Sequence, residues 1–234
     1  MCGPVCVGVT RRWRLYWEFK TVYPMNISSI LYWNVRGLNQ RARRDCVREL
    51  VASSRPDIVC LQETKMPDIS ASTVLATLGA DFDQYIFVPA TGDLGTRSGV
   101  LVAWRRGSCQ AAATRVDTYS ALVKFVLEDG NEWWFTGVYG PNLDADKLHF
   151  LQELRDIRAG CPGPWLIGGD FNLIYRSADK NNPNVDRAMM GRFRRLINEL
   201  ELQELELLGR RFTWSNERDA PTLVRLDRVL CSSS

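Results

Sequence analysis

The chain has 234 residues, 45% of them hydrophobic and 24% charged, with a formal net charge of +3. That balance describes a folded domain able to bury a sizeable core and excludes a disordered or low-complexity chain. No apolar run approaches the roughly 18 to 20 residues of a membrane-spanning helix, and the first residues place apolar side chains before arginines, the reverse of a secretory signal.

Seven cysteines, an odd number with no CxxC pair, read as free thiols of a reducing compartment. With one histidine, a Cys/His zinc site is not expected. Residues 1–24 carry Arg11, Arg12, Arg14 and Lys20 against Glu18 and show neither a helical nor a strand period. They read as an extension outside the fold, with Met25 as an alternative start and residues 25–234 as the domain. Beyond residue 24 acidic and basic side chains balance, so any attraction to phosphate must come from local patches.

From residue 30 onward strands and helices interleave. "ILYWNV" (30–35) is a strand, and residues 39–54 place Ala42, Cys46, Val47, Leu50 and Val51 at helical spacing. "DIVCLQE" (57–63) is a short buried strand, and 69–78 is a second helix. Four strand candidates follow at 85–90, 99–104, 121–127 and 132–140. Residues 144–159 form a helix with Leu148, Leu151 and Leu154 inward. "PWLIGG" (164–169) is a strand, 186–207 is largely helical, and "RFTWSN" and "TLVRLDRVL" are the last two strands. Helices at both ends of a long run of strands fit two packed sheets flanked by helices better than one doubly wound sheet.

Several strands end in polar residues. "YWNVRG" delivers Asn34, "VCLQET" Glu63, "FTGVYGPN" Tyr139, and "WLIGGDFN" Asp170 and Asn172. Apolar anchors upstream hold each tip at a sheet end. Gly168 and Gly169 let the backbone turn and another group approach closely. Taken singly, each tip has a plain structural reading: a solvated Glu, a capping Asp, a core Tyr. Together they offer a hard oxygen ligand, an acid beside an amide, and a phenol, a set suited to Mg²⁺ and phosphate oxygens.

"WNVRGL", "DIVCLQET", "SGVLVAW", "VYGPN", "GGDFN" and "RLDRVL", in that order, resemble the endonuclease/exonuclease/phosphatase superfamily over about residues 28 to 231. The "WNVRGLNQ" and "FTWSN…RLDRVL" forms look most like the apurinic/apyrimidinic-type endonuclease domain of plant non-LTR retrotransposons. The resemblance implies a four-layer α/β/β/α sandwich of two mixed sheets. It implies that Glu63, with Asn34, holds Mg²⁺ (or Mn²⁺), that Asp170 activates the attacking water, that Asn172 and Tyr139 hold the phosphate, and that Asp227 supports a catalytic histidine. The implied reaction is hydrolysis of one DNA strand to leave a 3′-hydroxyl. A reverse transcriptase segment is then expected elsewhere, with the protein monomeric and acting in the nucleus.

Two departures stand out. The family's histidine lies in an "SDH" motif after the "RLD" strand, and this chain ends at "RLDRVLCSSS". Its one histidine, His149, falls in a predicted helix. The expectation is a domain lacking its last strand, weakly active or inactive, and a non-catalytic remnant with weak DNA binding is the alternative. Arg36 stands where many relatives carry Asn or Asp; it cannot ligate a cation but can bind phosphate. Arg41, Arg43 and Arg44, with Arg48, and "GRFRR" (191–195) with Lys180 and Arg187, are candidate phosphate contacts or else solvated helix faces. Trp214 reads equally as a nucleic-acid contact or a core residue.

Overall fold

The computed structural model describes residues 5–6, 14–18, 29–91, 99–127 and 129–232. Its strands are β1 (Val5–Cys6), β2 (Arg14–Glu18), β3 (Ser29–Asn34), β4 (Ile58–Gln62), β5 (Gln84–Val88), β6 (Val100–Trp104), β7 (Gln110–Val116), β8 (Ser120–Val126), β9 (Glu132–Tyr139), β10 (Trp165–Asp170), β11 (Leu202–Glu204), β12 (Trp214–Ser215), β13 (Leu223–Val224) and β14 (Asp227–Ser232). The helices are α1 (Arg41–Ser54), α2 (Ala71–Leu78), α3 (Asp144–Gly160) and α4 (Arg187–Glu199). Two six-stranded mixed sheets form, in the orders β1-β2-β3-β4-β6-β5 and β11-β14-β10-β9-β8-β7, with β12 and β13 as a separate ribbon.

Strand alternation builds the four layers. Ile30, Tyr32, Ile58, Cys60, Val100 and Val102 of the first sheet face Val123, Phe125, Phe135, Leu166 and Val229 of the second in one central core. The intervening residues Leu31, Trp33, Val59, Leu61, Leu101 and Ala103 face outward, where Val47, Leu50 and Val51 of α1 and Val74 and Leu78 of α2 cover them. On the other side, Val138, Trp165, Ile167 and Leu230 lie beneath Phe150, Leu151 and Leu154 of α3 and Phe193 and Leu196 of α4. Both sheets are therefore apolar on both faces, which is why their strands read as near-continuous hydrophobic runs.

Caps set the helix starts. The Ser70 hydroxyl accepts from Thr73 N–H at 3.3 Å before α2, and Asp186 accepts from Met189 N–H at 2.9 Å before α4, each satisfying an orphan donor of the first turn.

Several details differ from the sequence reading. Residues 14–18, expected outside the fold, pair antiparallel with β3 from Arg14↔Trp33 to Glu18↔Ser29; "RLYWE" has the aromatic and aliphatic content of a strand. The alanine-rich β7 shows little strand patterning because it is an exposed edge strand. The helix expected over 186–207 ends at Glu199, and β11 pairs with β14. Ala42, Cys46 and Leu148 are exposed rather than inward. The five cysteines whose side chains are described, Cys46, Cys60, Cys109, Cys161 and Cys231, are free thiols.

Candidate active site

Register gathers the tips. β3 runs parallel to β4 with Asn34 beside Gln62, and β9 runs parallel to β10 with Tyr139 beside Asp170. β14 runs antiparallel to β10, so its first residue, Asp227, lies opposite Asp170. Four strands thus end, and one begins, at a single end of the sandwich.

The two glycines before Asp170 have separate causes. A Cβ on Gly168 would lie 2.6 Å from the Tyr32 ring of the facing sheet, so only glycine lets the sheets close there. Gly169 has φ +140° and its Cβ would meet Val138 O at 2.1 Å, a backbone and a space that exclude side chains.

Asp170 is the hub. Its Oδ2 accepts from Asn34 Nδ2 at 3.3 Å, a bond between the two sheets, and its Oδ1 accepts from Asn172 N–H at 3.0 Å. Burial raises the Asp170 carboxyl well above the usual carboxylate range, and the Asp227 charge adds to this; the Asn172 and Asn34 hydrogen bonds oppose it, and Glu63 raises it further. Asp227 is likewise pushed up, to about 6, chiefly by burial, with the Thr213 hydroxyl acting against it. No cation is bonded to either carboxylate among the described residues.

The other tips surround this pair. Glu63 follows β4 with φ +55°, and Lys65 Nζ lies 3.0 Å from its Oε1. The Tyr139 hydroxyl accepts from Asn142 Nδ2 at 3.4 Å. Asn172 donates one Nδ2 hydrogen to Gly140 O at 2.7 Å, which aims the amide and leaves its second hydrogen for a ligand. Of seven non-glycine residues with positive φ among those described, Arg36, Glu63, Lys65, Asn172 and Glu217 are at this end. Such conformations cost on the order of 1 kcal/mol or more each and collect at functional sites.

The basic candidates divide. Arg36 Nη1 faces Glu217 Oε1 of the ribbon turn at 3.6 Å, so this cation bridges the loop after β3 and the β12–β13 turn. Arg44 is committed to the carbonyls of Leu38 and Asn39 at 2.7 and 3.0 Å, and Arg48 to that of Leu75. These two brace α1 against its neighbours. Arg41 is exposed beside Asp45 at 3.8 Å, and Arg43 is exposed. Trp214 is half-buried on the ribbon rather than in any of the three apolar clusters. His149 is exposed on α3 and meets none of the tips.

Two residues escaped the sequence reading. Lys65 sits two positions after Glu63, with its ammonium on that carboxylate. Thr213, buried at 3% exposure, accepts from the N–H groups of Leu226 and Asp227 at 2.9 and 3.1 Å. It pins the turn that presents Asp227. Nothing in the sequence marks a threonine 14 residues away as the partner, because the link exists only after the ribbon folds back.

A model of the endonuclease/exonuclease/phosphatase family matches residues 31–234. The chain belongs to this family. The DNA-(apurinic or apyrimidinic site) endonuclease of Dictyostelium discoideum is 22% identical over 178 residues, 71% of this chain and 47% of its own length, so the chain spans about half of that relative. The solved endonuclease domain of TRAS1, a telomere-specific non-LTR retrotransposon, matches with TM-score 0.64 and 16% identity over 87% of this chain and 84% of that one. The AP endonuclease LMAP from Leishmania major matches with TM-score 0.65 and 19% identity over 87% of this chain and 78% of that one. At these identities the structural likeness establishes the sandwich fold.

The family generally depends on a divalent metal. Among the described residues no three His, Cys, Asp or Glu side chains form a cage. The available donors are the Glu63 carboxylate and the Asn34 amide oxygen, whose Oδ1 accepts from Arg36 N–H at 3.2 Å and keeps a second lone pair. One carboxylate and one amide, leaving the rest of the shell to water and substrate oxygens, fit the chemistry of Mg²⁺.

Proposed function

We propose that this chain is a divalent-metal-dependent phosphodiesterase that nicks one strand of DNA and leaves a 3′-hydroxyl. The observation that carries the reading is Asp170: a buried carboxylate with no cation bonded to it among the described residues, bonded across the sheet gap to Asn34 and flanked by Tyr139 and Asn172. Glu63, with Asn34, would hold Mg²⁺ or Mn²⁺, and the ion would polarise a phosphoryl oxygen. Asp170, its proton affinity raised by burial, takes the proton of an attacking water as general base. The free Nδ2 hydrogen of Asn172 and the Tyr139 hydroxyl donate to the non-bridging oxygens as charge develops. DNA is the substrate the curated relative's name supports. A 3′-hydroxyl product is what a separate reverse transcriptase segment would extend.

One observation favours a weak or silent variant of this reading. Among the described residues Asp227 has no histidine beside it, and His149 lies exposed on α3. An acid–base partner of that kind contributes ~10²–10⁴-fold in rate. Nicking of supercoiled plasmid with Mg²⁺, by this chain and by Asp170→Ala, separates the outcomes. Nicking that EDTA and Asp170→Ala both abolish supports the proposal. Nicking indifferent to Asp170→Ala overturns the assignment, and none with either Mg²⁺ or Mn²⁺ leaves the non-catalytic remnant.

A further inference from the structure

The outer face of α4 is a charged surface that the active site does not use. Arg187, Arg192, Arg194 and Arg195 are exposed there, and among the described residues none has a hydrogen-bond or ion-pair partner. Elsewhere on this side of the molecule arginines are engaged: Arg155 with Glu199 at 2.9 Å, Arg158 with the carbonyls of Cys161 and Gly163, Arg176 with Glu204 at 2.8 Å. The single carboxylate of α4, Glu199, is thereby neutralised by Arg155.

We infer that this face is a second nucleic-acid contact, binding the phosphate backbone of duplex DNA outside the active-site end. From Arg187 to Arg195 is about 12 Å of helix axis at 1.5 Å per residue, and a duplex strand advances about 3.4 Å per phosphate. The stripe therefore spans about three consecutive phosphates. Gly191 lies between the arginines, and a Cβ there would meet nothing within 4 Å, so the helix backbone is open to close approach. All four cations are arginines, whose planar fork pairs two phosphate oxygens at once. An acidic protein partner fits less well. The exposed large apolar side chains of the described residues, Leu75, Val116, Leu143 and Leu148, all lie off this helix, and a protein interface would want such an anchor.

Topology places the stripe along the molecule. β10 ends at the active-site end, and α4 starts after the loop 171–186. It runs toward β11, whose Leu202 pairs with Ser232 at the far end of β14. DNA seated on the stripe would extend from the active-site end down the side of the second sheet, on the α3–α4 layer.

The test uses the full chain in EDTA, so that binding is read without cleavage. Fluorescence anisotropy with a duplex of about 30 base pairs is measured against salt for the native chain and for Arg187→Gln/Arg192→Gln/Arg194→Gln/Arg195→Gln. The expected result is a slope of log affinity on log salt shallower by about 3, with affinity reduced about tenfold or more at low salt. An unchanged slope overturns the inference. So does loss of poly-glutamate binding with duplex binding intact, which would assign the face to an acidic protein. Arg192→Glu/Arg195→Glu gives the same reading if the quadruple variant melts early. The inference does not share its fate with the proposed chemistry, because plasmid nicking reports Asp170 and anisotropy in EDTA reports α4.

Discussion

Adjacent residues of β14 enter two opposite kinds of buried charge. Asp227 lies opposite Asp170, two carboxyls raised by burial with no cation bonded to either among the described residues. Arg228, 1% exposed, bridges the carboxylates of Asp179 and Glu204, and Glu204 is also held by Arg225 at 2.9 Å and Arg176 at 2.8 Å. Asp179 accepts from the N–H groups of Tyr175 and Arg176 as well. One cluster surrounds two carboxylates with three guanidinium groups and ties β14, β11 and the loop after β10 together. The other is left unmatched at the open end of the sandwich. Buried charge with its partner in place is architecture; buried charge without one awaits a ligand that supplies it.

The largest effect should come from breaking the matched cluster. Arg228→Met leaves Asp179 and Glu204 with one counter-charge fewer in a buried setting, which costs about 3–5 kcal/mol. Urea unfolding should show the free energy of unfolding falling by that amount, and the midpoint with it at an unchanged slope. Arg228→Lys should not rescue it, because one ammonium cannot reach two carboxylates as a planar fork does. An unchanged midpoint would mean the cluster is solvated rather than structural, and the contrast with Asp170–Asp227 would collapse.

The unmatched pair should respond to pH instead. Because the Asp227 carboxyl is raised to about 6 in the folded state, the native protein holds a proton that the unfolded chain gives up near the ordinary Asp value of about 3.9. Stability therefore falls as pH rises from about 4 through about 6, by about 3 kcal/mol for Asp227; the Asp227 share is complete above that window, and Asp170, raised in the same direction, adds its own loss. Asp227→Asn, measured in EDTA, should make this part of the curve shallower by the Asp227 share, leaving that of Asp170, and raise stability at neutral pH. A profile that stays as steep in the variant would place the titrating group elsewhere.

These clusters also show what the sequence can and cannot disclose. Asn34, Glu63, Tyr139, Asp170 and Asn172 were legible because each ends an apolar run, so strand geometry alone puts them at one end. The β14 pair was half legible: "RLDRVL" marks Asp227, but nothing marks Arg228 as wholly buried, since an arginine in a strand reads as a surface residue until Asp179 and Glu204 arrive from β11 and the loop after β10. Thr213 and Lys65 were hidden for a similar reason: Thr213 reaches Asp227 only once the ribbon folds back, and Lys65 meets Glu63 through residues at positive φ. The arginines of α1 read as a basic patch, and folding commits Arg44 and Arg48 to carbonyls. Edge strand β7 was missed because its exposed alanines carry no inside–outside pattern.

Glu63 lies between the two extremes, and its variant should show the smallest effect. It has a cation, Lys65 at 3.0 Å, but that lysine is 45% exposed at its side chain and so easily displaced. A pair of this kind is worth roughly 0.2–1 kcal/mol, about one- to fivefold in a binding constant. If Glu63 is the metal-holding carboxylate, Lys65 competes with the ion, and Lys65→Gln should tighten Mg²⁺ binding within that range in a calorimetric titration. The gain should shrink as salt rises, because screening already weakens the competitor. Weaker Mg²⁺ binding in Lys65→Gln would reverse the assignment: the ammonium would then be orienting the carboxylate for the ion, and Glu63 would belong with the matched cluster rather than between the two.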